Sequence, residues 1–267
     1  MKLKNYLTLG ITLLMGASLA SCGSTMNTLN DIKSKKQLVL ATNATFQPFE
    51  YVDNGNFKGI DIDFAKAYAT SIGCELNVSD IDFDAIIPSI QTYKADIGIA
   101  GMTVTEARSK VVDFTESYYS ASQVVIVKAD SELAWLDTEE LLKALEGKTI
   151  GCQIGTTGEA YITGSEDMGF EGIKNAKSKG YKDGVLATKD LAAGNIDAVI
   201  IDSAPASLYV KEYPTCVVVE DVVLTEEEYA IAVAKGNDTL LSSLNTFIKE
   251  SKENGVLDSI ISANYGE

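Results

Sequence analysis

From Lys36 onward the chain alternates short, β-branched apolar runs with stretches whose apolar residues recur every three or four positions, and it goes through that alternation twice. Strands repeat with period two and helices with period 3.6, so the pattern predicts an α/β protein with mainly parallel sheets flanked by helices. In the first pass, 37–42, 75–78, 97–100 and 123–127 read as strands. The segment 61–72 reads as a helix with Ile62, Ala65, Tyr68, Ala69 and Ile72 on one face, ended by Gly73, and 83–93 as a second helix. The second pass begins with a strand at 148–154, a glycine-rich turn and a helix from Glu159, followed by an irregular segment from 164 to 184. A helix at 188–193, a buried strand at 198–201, a helix at 204–212, a strand at 216–219, an apolar run at 229–234 and two helices at 239–252 and 256–263 complete it. Two lobes account for this order, with 34–127 and 224–267 forming lobe 1, 128–223 forming lobe 2, and two crossovers near Lys128 and Leu224. A chain of 267 residues is long enough to bury a core in each.

Composition removes whole classes of function. The chain has no histidine, so Ser-His-Asp and Cys-His nucleophile systems and His-ligated metals are excluded. A formal net charge of −16 leaves no basic face for a phosphate backbone, and nucleic acid is not an expected partner. Asp80-x-Asp82-x-Asp84 opens like a calcium loop, but Ala85 and Gln91 stand where that loop needs glycine and glutamate. Gly151, Gly155 and Gly158 have the wrong spacing for a dinucleotide fingerprint. No metal, cofactor or catalytic residue is predicted.

The N-terminus reads as a targeting segment. Lys2 and Lys4 precede an apolar stretch from Leu7 to Leu19 that is shorter than a membrane span of about 20 residues. It ends in Leu19-Ala20-Ser21-Cys22, which resembles a bacterial lipobox. Residues 1–21 are therefore expected to be a lipoprotein signal peptide, with Cys22 acylated (palmitate among its chains) and 22–33 a flexible linker to the lipid anchor. Cys74, Cys152 and Cys216 remain, too few and too widely spaced for a disulfide framework; they read as small buried hydrophobes, with a Cys152–Cys216 bridge the alternative.

Every cation but one is lysine. The single arginine, Arg108, closes the stretch Ala100-Gly101-Met102-Thr103-Val104-Thr105-Glu106-Ala107-Arg108, just beyond a predicted buried strand. A guanidinium stays charged and its planar fork matches a carboxylate, which a lysine ammonium does not. Thr103 and Glu106 read as a capping box that puts Arg108 in the first turns of a helix, where a cation gains nothing from the dipole. An external anion explains the residue better than structure does, although an exposed surface arginine is the competing reading. Asp202 follows the predicted strand 198–201, either facing a ligand at the sheet edge or capping the next helix. Gly155-Thr156-Thr157 presents backbone N–H groups at a helix start. Phe46 and Phe83 lie just past strand ends, where core packing is the ordinary alternative.

The segments Ala41-Thr42-Asn43-Ala44-Thr45-Phe46-Gln47-Pro48-Phe49-Glu50, Gly59-Ile60-Asp61-Ile62-Asp63, Ile87-Pro88-Ser89-Ile90, the stretch Gly101 to Arg108, Val112-Asp113-Phe114-Thr115, Tyr118-Tyr119 and Gly155-Thr156-Thr157 resemble, in order, the extracytoplasmic solute-binding proteins of polar amino acid ABC importers. That resemblance implies a two-lobed type II periplasmic-binding fold that closes on one amino acid and docks on a permease with its ATPase. It implies that Arg108 takes the ligand α-carboxylate, helped by the backbone or hydroxyl of Thr103 and, across the cleft, by Thr156 and Thr157. Asp202 and the carbonyl of Gly101, beside Ala100, would hold the α-ammonium, and Phe46 and Phe83 would sandwich the carbon skeleton. Asn43 and Gln153 would meet the side chain. Family members that hold a cationic or amide side chain often carry aspartate at the position of Asn43; here both facing groups are neutral, so the expected ligand is a neutral polar amino acid such as glutamine or cystine.

The expected protein is a lipid-anchored, extracytoplasmic monomer and not an enzyme. Two alternatives use the same fold: an amino-acid sensor for a signalling partner, and a cyclohexadienyl or arogenate dehydratase with Glu50 as its acid.

Overall fold

The computed structural model describes residues 25–265. Two five-stranded sheets form the cores of two lobes. In the first, the strands Glu75–Asp80, Gln37–Thr42, Ile97–Gly98, Ala232–Ala234 and Val112–Phe114 lie side by side in that order. In the second the order is Lys177–Tyr181, Thr149–Gln153, Ala198–Asp202, Gln123–Lys128 and Cys216–Val218. The first three strands of each sheet are parallel. In each sheet the fourth strand runs against both of its neighbours.

The antiparallel strands have one cause. Gln123–Lys128 and Ala232–Ala234 each follow a crossover segment, and the crossovers, Tyr119–Ala121 and Glu227–Tyr229, pair as an antiparallel ribbon. A chain entering a lobe at the edge where the parallel strands end must run opposite to them. The sheets are accordingly mixed, where the sequence predicts mainly parallel ones. Gln123–Lys128 pairs in the second sheet, whereas its apolar run groups it with 34–127; the change of lobe precedes Gln123 and not Lys128.

Three other segments differ from the sequence expectation. The predicted linker 22–33 contains the start of a helix, Leu29–Lys35, capped by Thr28 and anchored by fully buried Ile32. The predicted irregular segment holds the strand Lys177–Tyr181, paired in parallel with Thr149–Gln153. The predicted helix 83–93 is a 3-10 turn, Phe83–Ala85, followed by the α-helix Ile86–Gln91.

Packing follows the apolar faces. The helix Ile60–Ser71 buries Ile62, Phe64, Ala65, Tyr68 and Ala69, and Phe64 and Tyr68 meet Phe247 of the helix Asp238–Glu253 at ring-centroid distances of 5.1 and 5.4 Å. That late helix buries Leu240, Leu244 and Ile248, four residues apart, and so returns the end of the chain to the first lobe. Each such aliphatic side chain contributes about 1.5–3 kcal/mol on burial. In the second lobe Val125, Val127, Ile150 and Ile200 form a separate core. Cys74, Cys152 and Cys216 are buried free thiols, so the alternative Cys152–Cys216 bridge is not formed. The expected signal peptide and Cys22 lie outside the described residues. Among the described residues no helix is long and apolar enough to cross a membrane.

Candidate functional site

The parallel strands of both lobes point their C-terminal ends at one cleft, the edge at which open α/β sheets take ligands. Asn43 follows Gln37–Thr42, Ala100, Gly101 and Thr103 follow Ile97–Gly98, Gln153 ends Thr149–Gln153, and Asp202 ends Ala198–Asp202. Thr156 caps the helix Thr157–Thr163 through its hydroxyl. Phe83 stands in the turn after Glu75–Asp80, and Phe46 on a hairpin strand whose cross-strand partner is Glu50. These residues and Arg108 line a single pocket, so the structure brings all eleven sequence-predicted positions together and adds Glu50.

Gly101 is the position where side-chain absence is required. Its φ is +52°, and a Cβ there would stand 2.8 Å from Phe46 Cε1. Its backbone N–H is held by Asp61 Oδ2 at 2.8 Å, and the other oxygen of Asp61 accepts from Tyr118 Oη at 2.8 Å.

Arg108 lies on the one-turn helix Glu106–Ser109, whose cap is Thr105, not Thr103: Thr105 Oγ1 accepts from Arg108 N at 3.2 Å. Thr103, two residues earlier, takes no part in that cap and lines the cleft. The guanidinium donates to Thr103 O at 2.6 Å and, across the cleft, to Gly155 O at 2.9 Å, and its carbon stands 5.3 Å from the Phe83 ring centroid. Burial brings its pKa down to about 10 while Glu227 and Asp202 oppose that, so it stays charged at neutral pH. The reading of Arg108 as an idle surface residue does not hold.

Asp202 heads the helix Ser203–Glu212 without a side-chain capping bond; instead Oδ1 accepts from Tyr229 Oη at 2.5 Å. Burial, and then the nearby Glu227, raise its pKa. Asn43 and Gln153 bond to each other across the cleft, Gln153 Nε2 donating to Asn43 Oδ1 at 2.8 Å. Asn43 also donates to Ile81 O at 2.9 Å, and Gln153 to Lys182 O at 3.1 Å, so both amides are largely committed.

Glu50 is fully buried; no N–H or hydroxyl donor reaches its carboxyl oxygens, and its one polar neighbour is the carboxyl of Asp61, toward which a protonated Glu50 donates. Burial, with Asp61 next to it, pushes its pKa well above the usual carboxylate range; burial likewise carries Asp61 up to about 6 against the bonds from Gly101 and Tyr118. Glu227, buried on the second crossover, accepts from Thr103 Oγ1 at 2.5 Å and from Thr157 Oγ1 at 2.9 Å through the same oxygen. Sequence reasoning gave Glu227 no role: one more acid among 38 Asp and Glu carries no signal of burial. For Glu50 a signal existed, since a partner four residues from Phe46 on a tight hairpin shares its face.

A cleft with a fixed guanidinium, buried carboxyls and two phenylalanine rings matches the opposite charges and the apolar stem of a small zwitterion. The profile of the bacterial extracellular solute-binding proteins, family 3, matches residues 38–267. The chain belongs to that family. Among curated members, it is 32% identical over 260 residues to the arginine-binding extracellular protein ArtP of Bacillus subtilis, covering 97% of this chain and 96% of that one. It is 34% identical over 231 residues to ABC transporter arginine-binding protein 1 of Escherichia coli, covering 84% and 89%. A crystal structure of a mutant of ArgBP from T. maritima superposes on this family member with a TM-score of 0.81 at 38% identity, covering 90% of this chain and 99% of that one. The fold is thus the two-lobed α/β architecture of amino-acid-binding proteins.

Proposed function

We propose that this chain captures a free amino acid with a cationic side chain, arginine foremost, and hands it to an ABC importer. Arg108 takes the α-carboxylate, Asp202 with the Gly101 carbonyl takes the α-ammonium, and Phe46 and Phe83 flank the carbon chain. The observation that carries the side-chain class is Glu50. Its buried carboxyl meets only that of Asp61, and both acids are held above the usual carboxylate range; a guanidinium or ammonium brought from outside would favour the ionised form that this pairing of two acids penalises. Asn43 and Gln153, on which the expectation of a neutral ligand rests, are already bonded to each other. The arginine-binding names of the two relatives agree with this revision.

Charge-assisted hydrogen bonds are worth about 1.5–3 kcal/mol each, so several together supply the about −8 kcal/mol of micromolar binding after ordering costs. The ligand's two charged ends meet residues of both lobes, so binding favours the closed cleft, the state a permease can read.

The test is thermal shift of residues 23–267 against the twenty amino acids, ornithine, cystine and citrulline. At 100 times its dissociation constant a ligand adds about 2.7 kcal/mol, or roughly 5–10 °C for a chain of this size. Arginine should raise the midpoint far more than citrulline, its uncharged near-isostere, and Glu50→Gln should erase most of that preference. A shift by glutamine or cystine alone would restore the neutral reading. Silence throughout, with an aromatic product formed from prephenate or arogenate, would favour the dehydratase.

The anchor on Cys22 belongs to the same proposal. Its support is the lipobox-like Leu19-Ala20-Ser21-Cys22, and Cys22→Ser should move the protein from the membrane fraction to the soluble one.

A further inference from the structure

Two threonines that line the pocket with Arg108 have already given away their hydroxyl protons. Thr103 Oγ1 donates to Glu227 Oε2 at 2.5 Å from the first lobe, and Thr157 Oγ1 donates to the same oxygen at 2.9 Å from the second. The other oxygen, Oε1, accepts from Thr225 Oγ1 at 2.8 Å. A hydroxyl has one proton, and a carboxylate can only accept. Thr103 therefore presents only lone pairs to the cleft. Thr157 does the same with what remains after its oxygen accepts from Gln123 Nε2 at 3.1 Å. Neither hydroxyl can donate to a ligand carboxylate, which leaves that group to Arg108 and backbone N–H donors. What each hydroxyl can still bind is a donor, and the donor an amino acid brings to this end of the cleft is its α-ammonium.

From this contact set we infer that Glu227 is a specificity-determining positioning residue: by holding the protons of Thr103 and Thr157 it sets both hydroxyls as acceptors, and so selects ligands with an α-ammonium against carboxylates that lack one. Glu227 need not touch the ligand. It sits on the Glu227–Tyr229 crossover, in the ribbon that joins the lobes, and the Thr103 backbone bridges to that ribbon at Tyr229. The bond to Thr157 spans from that ribbon to the second lobe, so both hydroxyls are set together only when the lobes meet. An unconstrained threonine would be free to turn its proton toward a carboxylate, and the discrimination would then rest on Asp202 and the Gly101 carbonyl alone.

The inference rests on the amino-acid reading of the cleft and not on which side chain is bound, so two ligand pairs test it. Calorimetry would compare L-arginine with 5-guanidinopentanoate and L-glutamine with 4-carbamoylbutanoate, each pair differing only by the α-ammonium. In the unaltered protein the amino acid of the bound pair should be favoured by more than about a hundredfold. Glu227→Ala should cut that preference about tenfold, the loss falling on the amino acid while the deamino acid binds unchanged or better. Glu227→Gln, whose amide oxygen can still accept from both threonines, should stay within about threefold of the unaltered protein. Equal loss for both members of a pair, or no change in preference, would make Glu227 merely structural and overturn the inference. If Glu227→Ala does not fold, Thr157→Val removes one of the two acceptors from the opposite lobe, and an unchanged preference there overturns it equally. Failure of the unaltered protein to bind either amino acid would instead count against the amino-acid reading itself.

Discussion

Replacing Arg108 by lysine keeps the charge and removes the fork. The guanidinium reaches Thr103 O with Nη1 and Gly155 O with Nη2 while stacking on Phe83, which holds its plane at the floor of the cleft. A lysine ammonium can offer a carboxylate one good bond in place of two parallel ones, a loss of about 1.5–3 kcal/mol. It also gives up part of the contact with Phe83, another ~0.5–1 kcal/mol. Together these are about 2–4 kcal/mol, or roughly 30- to 1000-fold in the dissociation constant. The ligand-free fold should hardly notice. The residue is half-buried, and no carboxylate in the described residues forms an ion pair with it, so the melting midpoint should move by no more than ~2–4 °C. Titration calorimetry of the amino acid identified by thermal shift, beside scanning calorimetry of the empty protein, reads both quantities. Affinity within threefold of the unaltered protein, or a midpoint lowered by more than about 8 °C, would refute the assignment of Arg108 to the ligand carboxylate.

Two further outcomes are expected. Asp61 and Glu50 are held above their unfolded values by burial, so each favours the folded state while protonated and loses that contribution as pH rises through its folded pKa. For Asp61, at about 6 against roughly 3.9 unfolded, the whole loss amounts to about 3 kcal/mol, about half of it above pH 5; the empty protein should melt lower at pH 7.5 than at pH 5, and Asp61→Asn should flatten that slope. A midpoint that rises over this interval, where the carboxyls with lowered pKa are already ionised, would contradict the burial argument. Gly101→Ala combines a positive φ with a Cβ 2.8 Å from the Phe46 ring, and should cost about 1–3 kcal/mol of stability and most ligand affinity. Unchanged melting and binding would show that the segment adapts.

How much of this could be seen in the sequence depended on range. Period-two and period-3.6 apolar spacing reports the burial of each element separately, so most strands and the late helices were legible, including Ala198–Asp202 and Asp238–Glu253. Lys177–Tyr181 was not, because an edge strand reading Lys-Ser-Lys-Gly-Tyr has almost no apolar face and becomes a strand by pairing with Thr149–Gln153. The lone Arg108 and the strand-end Asp202 stood out by residue type and position. The bond between Asn43 and Gln153, on which the expectation of a neutral ligand rests, joins residues 110 positions apart and leaves no local trace.

Alternation determined an α/β chain, the missing histidine excluded imidazole chemistry, and the single arginine marked a candidate site for an external anion. The tertiary structure alone decided that Gln123–Lys128 joins the second sheet, that Glu50 is buried in the cleft beside Asp61, and that Glu227 accepts a hydrogen bond from a threonine of each lobe. Hydrophobic spacing is a property of neighbours along the chain. Whether a carboxyl is solvated or buried is set by residues brought to it from up to 124 positions away, and that is known only once the lobes have packed.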